Sequence, residues 1–517
     1  MEDTARSSLL YNDDIAPISK ERQTWGFWPL FGAWASIAAP GSLLVGSAGI
    51  AFGFNWWQVL LIALAGDVLT IVPLVIQAHG AVKYGLAEPQ LDRTRFGIWG
   101  TFIPSFARMI VGFGFWGVQT FLVTEGLLGV VLVLSGSTDS LSALGSPQKM
   151  VQAYPVQFWT LFLLATVLQF VIIDRAKPTL GAPSLKLLSK YMPIVAIAVL
   201  TFVFVYFIAE NGSYAGEAFR AAPAPMSSAM LPILLIYLSS NVHATQVISW
   251  PDVMRFGRSY RTMLWSQLGL PVIYSLTIFY GAIMTGIAKA KTGSATYDPI
   301  LLVANYLHPA PVAAIVLVAF VLLLINTNIF SNAVPPIYDL NNFFPKHLTW
   351  RRGAIIVTLV SVLVGAWALY AQGAYAYFST WLQFVASLLG PFTGVIVADY
   401  VFVRRGRINL AAVFSRDGEY YFQKGFNVRA LVATGIGYLL LMAGHWGMEF
   451  PGWSTLSHFG WLTGLVVSGV LYLIFVRVGS RSSITREPTA RGHVPETSRA
   501  RVDEPTPDAQ PAPEPSS

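Results

Sequence analysis

An all-α integral membrane protein of about twelve transmembrane helices is the fold class this sequence predicts. Hydrophobic residues make up 54% of the chain and charged residues only 11%, where an ordinary soluble domain carries roughly 25% charged residues. Mean hydropathy is +0.57. Runs close to the ~20 apolar residues that cross a bilayer recur at 27–52, 55–80, 105–134, 157–174, 190–209, 228–250, 264–288, 309–334, 353–372, 376–403, 428–446 and 458–476. Residues 1–26 form a polar segment ahead of them. Asp13, Asp14 and Lys20 stand there where a cleavable signal peptide has an apolar core, so the amino terminus is expected to be retained.

With the amino terminus inside, about 28 of the 33 Lys and Arg residues fall on the inner side. They include Arg93 and Arg95, Lys186 and Lys190, Arg255, Arg258 and Arg261, and Arg404, Arg405 and Arg407, while Lys149, Arg220, Lys289 and Lys291 fall outside. This asymmetry predicts a multi-pass protein of a cell membrane, plasma or inner, with both termini cytoplasmic. It also accounts for the net charge of +7 and pI near 9.4, and no nucleic-acid partner is called for. The chain has no cysteine, so disulfides, thiolate metal sites and thiol catalysis are excluded.

Taken in order, the spans differ in where polarity interrupts them. The first carries Ala38-Ala39-Pro40-Gly41-Ser42 near its middle, where proline removes an amide donor and glycine relaxes the backbone. It reads either as a kink or as backbone freed for a ligand. The second holds Asp67, a proton-relay carboxylate or a neutral helix contact. The third places Phe113, Phe115, Trp116 and Gln119 within two turns, among Gly112, Gly114 and Gly117. That stripe is packing or a stacking platform, with the Gln119 amide able to read the edge of a planar ring. Glu125 follows and is a second candidate for proton coupling. The sixth span contains Ser239-Ser240-Asn241-Val242-His243-Ala244-Thr245-Gln246, a packing face or a break over a site. The eighth is interrupted most, by Asn326, Thr327, Asn328, Ser331 and Asn332 and then by Pro335 and Pro336. Each unpaired polar group in hydrocarbon costs several kcal/mol, roughly, so such a run survives where it lines a cavity. Asp399, close to Arg404, reads as a structural ion pair. Residues 479–517, rich in Pro, Ser, Thr, Arg and Glu, read as a disordered cytoplasmic tail.

Paired discontinuous helices in equivalent halves point to the central site of a transporter. If the chain is an inverted repeat, the halves are 27–209 and 228–404, five helices each, followed by terminal helices over 428–476. An intramembrane enzyme needs a convergent nucleophile and base or a metal cluster, and the seven histidines lack ligand spacing. A channel predicts symmetric filter repeats, and none is visible.

Several stretches together resemble the nucleobase:cation symporter-1 family of cytosine, purine, uracil, allantoin and hydantoin permeases. They are Asn12-Asp13-Asp14-Ile15-Ala16-Pro17, Lys83-Tyr84-Gly85, Pro251-Asp252-Val253-Met254-Arg255-Phe256, Asn332 to Tyr338, Ser387-Leu388-Leu389-Gly390-Pro391-Phe392-Thr393-Gly394, and Ala398-Asp399-Tyr400 with Arg404-Arg405. The resemblance implies a leucine-transporter-like architecture of inverted five-helix repeats plus two terminal helices. It implies import of a heterocycle with sodium or a proton by alternating access, no other cofactor, and no enzymatic activity. It also implies that Gln119 and Asn332 hydrogen-bond the substrate. Where the family stacks its substrate between two tryptophans, this sequence has Phe115 beside Trp116 and His243 beside Val242. For sodium it implies the carbonyls of Ser36, Ala39 and Leu323 with Asn326 and Thr327, of which Thr327 matches the family and Asn326 replaces a hydroxyl. An amino-acid or amine symporter of the same fold is the alternative.

Overall fold

Each expected span is occupied by a helix or a pair of helices in the computed structural model, which describes residues 9–38, 41–137, 146–175 and 183–484. Helices α1 (Phe27–Ala38) and α2 (Gly41–Ala51) flank residues 39–40, which lie outside the described residues. Then follow α3 (Trp56–Tyr84), the short α4 (Glu88–Phe96), α5 (Phe102–Leu134), α6 (Pro155–Arg175), α7 (Pro183–Glu210) and α8 (Gly212–Arg220). The sixth span is α9 (Leu231–Ser240) and α10 (Ala244–Ser249). After it come α11 (Tyr260–Thr292), α12 (Pro299–Tyr306), α13 (Ala310–Phe343), α14 (Trp350–Val364), α15 (Ala366–Gln372), α16 (Ala374–Val403), α17 (Val428–Met442) and α18 (Gly460–Ile484). Among the described residues there is no strand, only isolated bridges. Met1–Val476 is one compact unit. The tail expected over 479–517 falls outside the described residues beyond Ile484.

The polarity of α3 shows which solvent these helices meet. Leu61, Val68 and Val72 are exposed, whereas Asp67, Thr70 and Gln77 on the other side are fully buried. That inversion of the soluble pattern puts apolar chains towards lipid and polar ones into the bundle. The ends of α3 follow local rules. Asn55 and Gln58 exchange side chain to backbone hydrogen bonds at 3.1 Å in a capping box, and Gly85 closes the helix in the left-handed region at φ 69°.

Two kinds of irregularity shape the middle of the bundle. The sixth span breaks as expected, with Asn241 to His243 between α9 and α10. The eighth does not: α13 runs on through its polar stretch by widening into a π-helical turn over Asn328–Ala333. Pro335 and Pro336 start the α-helical segment that resumes there, where a missing N–H is tolerated best. Similar wide turns occur at Leu270–Tyr274 and Tyr377–Leu382. Such turns insert an extra residue and concentrate at functional sites.

Candidate substrate site

A cavity of about 140 Å3 lies where the broken helix and these wide turns meet. Each of the three π turns just named contributes to its wall: Tyr274 from the first, Ser331 and Asn332 from the second, Tyr377, Phe378 and Leu382 from the third. Phe115 and Gln119 face it from α5, and Val242 and His243 from the break between α9 and α10. Five of the six expected substrate contacts therefore converge. The sixth, Trp116, is not among the lining residues; its indole is fully buried, because a one-residue step along a helix turns the side chain by about 100°. What Trp116 supplies is its carbonyl, which accepts from Asn328 at 3.2 Å.

The amides are held in different ways. Asn332 donates from Nδ2 to Asn328 Oδ1 at 2.9 Å, and Asn328 donates in turn to Gln169 Oε1 at 2.8 Å. Gln169 is anchored on Thr120 Oγ1 at 3.1 Å. This buried relay from α6 through α13 fixes the Asn332 amide. Gln119 is different: its Oε1 is buried and meets no donor. Ser239 and Ser331 also line the cavity, and their hydroxyls are buried without a hydrogen bond. Buried polar atoms left unmatched cost about 1–3 kcal/mol each, and these belong to residues that line the cavity.

His243 is placed by three partners. Its backbone N–H donates to Thr70 Oγ1 at 3.1 Å, its Nε2 lies 3.1 Å from Asp67 Oδ1, and Tyr274 packs edge-on with ring centroids 4.3 Å apart. Asp67 also accepts from Ser275 Oγ at 3.2 Å. Gly66 permits the approach, since a Cβ there would sit 2.7 Å from the Asn241 carbonyl oxygen. Asp67 itself does not line the cavity. Glu125 lies elsewhere, fully buried in the C-terminal half of α5 and next to Asp298, which caps α12 by accepting from Leu301 N at 2.8 Å. The Glu125 and Asp298 carboxyls lie close enough to share a proton between them. Burial pushes the Asp298 carboxyl above the ordinary range.

Of the expected sodium ligands, Leu323, Asn326 and Thr327 share one face of α13, with Thr327 Oγ1 donating to the Leu323 carbonyl at 3.0 Å. Thr327 also touches the cavity. Ala39 lies outside the described residues, and Ser36, whose carbonyl is the other expected ligand, stands in the last turn of α1. Neutral oxygens of this kind suit a hard monovalent cation.

At the end of the bundle that carries residues 9–25, a charged layer replaces the neutral cavity. Arg108 of α5 grips Asp339 of α13 with two bonds, Nε to Oδ2 at 2.7 Å and Nη2 to Oδ1 at 2.6 Å, and reaches Asp252 at 2.9 Å. Asp252 also accepts from the backbone of Glu88 at 2.9 Å. Arg95 joins Glu88, Asp92 and Gln77 at 3.0, 3.1 and 2.6 Å. Arg255 donates to the Ile15 and Ala16 carbonyls and to Tyr338, tying the N-terminal segment across this face. Asp399 forms the expected ion pair with Arg404 at 2.7 Å and accepts from Tyr472 at 2.7 Å. Arg108 was not legible as a site residue because its partners lie 144 and 231 residues away.

A multi-pass bundle built around a mid-membrane cavity, with a broken helix on one wall and wide turns on the others, defines a secondary transporter. Comparison with known proteins makes the assignment specific. A family model for permeases of cytosine/purines, uracil, thiamine and allantoin matches residues 17–464, and the chain belongs to that family. It is 28% identical to a purine-uracil permease of Arabidopsis thaliana, over 84% of this chain and 71% of the relative. It is 26% identical to an allantoin permease of Bacillus subtilis, over 95% and 98% of the two chains. A nucleobase-cation-symport-1 transporter solved in a closed conformation with bromovinylhydantoin bound superposes with a TM-score of 0.71 at 19% identity, covering 92% of this chain and 96% of the other. The fold is thus the leucine-transporter type the sequence predicted.

Proposed function

We propose that the protein imports a nitrogen heterocycle of the nucleobase, allantoin or hydantoin type together with a cation, and that the 140 Å3 cavity is where the heterocycle binds. The observation that carries this reading is the meeting of two amides, Gln119 and Asn332, with the Phe115 and His243 rings around one space. A planar lactam offers adjacent N–H and C=O groups to amides and a face to aromatic rings. Among the described residues no acidic side chain and no Lys or Arg lines the cavity, which suits a heterocycle better than an amine or a zwitterionic amino acid. The coupling ion on this reading is sodium, with Leu323, Asn326 and Thr327 of α13 as part of its oxygen set. The face carrying residues 9–25 is cytoplasmic, which the Lys and Arg distribution supports.

Tracer uptake into proteoliposomes tests the reading, using pyrimidines, purines, hydantoins, allantoin and amino acids under imposed sodium or proton gradients. Accumulation of at least one heterocycle under a cation gradient is expected. Transport confined to amino acids overturns the reading. If sodium is the partner, substrate affinity rises with sodium at fixed pH, and Thr327→Ala removes the rise, by the reciprocity of linked binding.

A further inference from the structure

We propose that His243 and Asp67 form a proton-binding dyad in the wall of the cavity, and that the proton it takes up is bound together with the substrate. This rests on the cavity being the substrate site, and it holds whether or not sodium also binds at α13. The geometry is specific. Nε2 of His243 faces Asp67 Oδ1 at 3.1 Å, and Asp67 is buried on α3 and anchored by Ser275. With Nε2–H donated to the carboxylate, the second ring nitrogen, Nδ1, carries the lone pair. Nδ1 makes no hydrogen bond to any described residue, and His243 lines the cavity.

The two protonation states therefore offer a ligand opposite chemistry. A neutral ring presents an acceptor, and a protonated ring presents an N–H donor backed by the Asp67 carboxylate. Pyrimidinediones, oxopurines and hydantoins carry both ring N–H donors and ring carbonyls; on this proposal it is a carbonyl that meets Nδ1, and an acceptor there selects the protonated state. One proton enters at Nδ1 from the side to which the cavity is open, bonds to the carbonyl, and leaves from Nδ1 when the substrate departs. No covalent bond to the substrate forms or breaks. The ion pair with Asp67 leaves the site without net charge, which lowers the cost of a proton in hydrocarbon surroundings.

The surroundings contain little else that titrates. Tyr274 from α11 packs edge-on against the imidazole, Tyr377 from α16 lines the same cavity, and Tyr237 of α9 donates to the Val45 carbonyl. Trp34 of α1 lies edge-on at 6.1 Å and carries no charge. Thr70 and Ser275, from α3 and α11, are neutral hydroxyls. No Lys or Arg lines the cavity among the described residues, so no side-chain cation there repels the imidazolium.

The test measures substrate affinity and proton uptake on purified protein at fixed sodium, over about two units either side of the imidazole range. The probe is whichever panel heterocycle binds, followed by calorimetry in two buffers of different protonation heat. The parent should take up close to one proton per substrate and lose affinity by up to about tenfold per pH unit on the alkaline side. His243→Gln should bind more weakly, with no pH dependence and no proton uptake. Asp67→Asn keeps an oxygen opposite Nε2 but removes its charge, and should move the tight-binding range to lower pH. A merely structural histidine lowers affinity equally at all pH values. A flat affinity profile in the parent, or His243→Gln retaining the parent's pH dependence, overturns the dyad while leaving the heterocycle reading intact. If no panel compound binds, the heterocycle reading fails and the dyad is judged by 15N-imidazole titration, with His243 identified by its loss in His243→Gln. Nδ1 titrating while Nε2 stays protonated supports it, and a ring that does not titrate across the same range overturns it.

Discussion

The cavity and the Arg108 layer lie about 16 Å apart along one helix, α5, and their polar atoms are used in opposite ways. Around Arg108 each charge meets its opposite: a guanidinium with five donors is spent on two carboxylates and the Ile248 carbonyl. Around Gln119 the groups are neutral and several, including Gln119 Oε1, Ser239 and Ser331, have nothing to bond. The layer is not saturated either, since Glu88 Oε2, Arg95 Nε and Arg255 Nε there also lack a partner; what separates the two levels is paired charge at the first and neutral polar groups around a cavity at the second. The contrast also explains why the layer can be crowded with buried charge without being a substrate site.

Breaking the layer should have the largest effect. Arg108→Met leaves Asp252 and Asp339 buried without their cation, a loss of about 3–5 kcal/mol. A sharply lower melting temperature in detergent is expected, recovered in part when Asp252→Asn and Asp339→Asn are added. Parent-like melting of Arg108→Met would show that the layer does not hold the bundle.

Breaking the cavity should instead spare the fold. Asn332→Ala and Gln119→Ala should each weaken heterocycle binding about tenfold or more, the roughly 1–3 kcal/mol of a hydrogen bond whose partner is left unmatched. Their melting without substrate should stay near that of the parent. Equally tight binding by both variants places the site elsewhere. Asn328→Leu probes the relay behind Asn332. It strips Gln169 of a donor and frees the Asn332 amide to rotate, so a smaller loss of affinity, about three- to fivefold, should accompany about 1 kcal/mol of destabilisation.

The smallest effect concerns Asp92, whose carboxyl is pushed up to about 6 by burial, against the opposing pull of Arg95. The folded protein then holds this proton to higher pH than the unfolded chain does. The stability it contributes is full below about pH 4 and is lost as pH rises through about 6. Asp92→Asn should flatten that part of the melting profile, by on the order of 2 °C. An unchanged slope would assign the pH dependence to Glu88, which burial also raises.

Much of this arrangement was legible in the chain because hydrocarbon makes polarity expensive. Asn332, Gln119 and the break at Asn241 to His243 stood out against apolar runs, and five of the six proposed contacts share a cavity. Three things were not legible. Trp116 and Phe115 are neighbours in sequence, and only the rotation of α5 decides which one faces the cavity. The π turn at Asn328–Ala333 keeps α13 continuous where its polar residues and prolines suggested an interruption, and an extra residue in a turn leaves no compositional mark. Tyr274 and Tyr377 reach the wall through such turns and would pass for interfacial tyrosines in the sequence. The link between Asp67 and His243 spans 176 residues, a separation at which no local pattern operates.

Asn332 and Asp339 stand seven residues apart on α13, which is about two turns, roughly 10 Å of rise and a residual rotation near 20°. The amide in the cavity and the carboxylate in the layer thus project from almost the same side of one short rod. Arg108 holds both oxygens of that carboxylate in a planar fork, and a fork resists twisting more than a single bond does. The rod is therefore a lever with one end clamped against rotation. Any turning of α13 about its axis that tightens or loosens the grip of Asn332 must either wring the fork open at Asp339 or be absorbed in the π turn in which Asn332 itself sits.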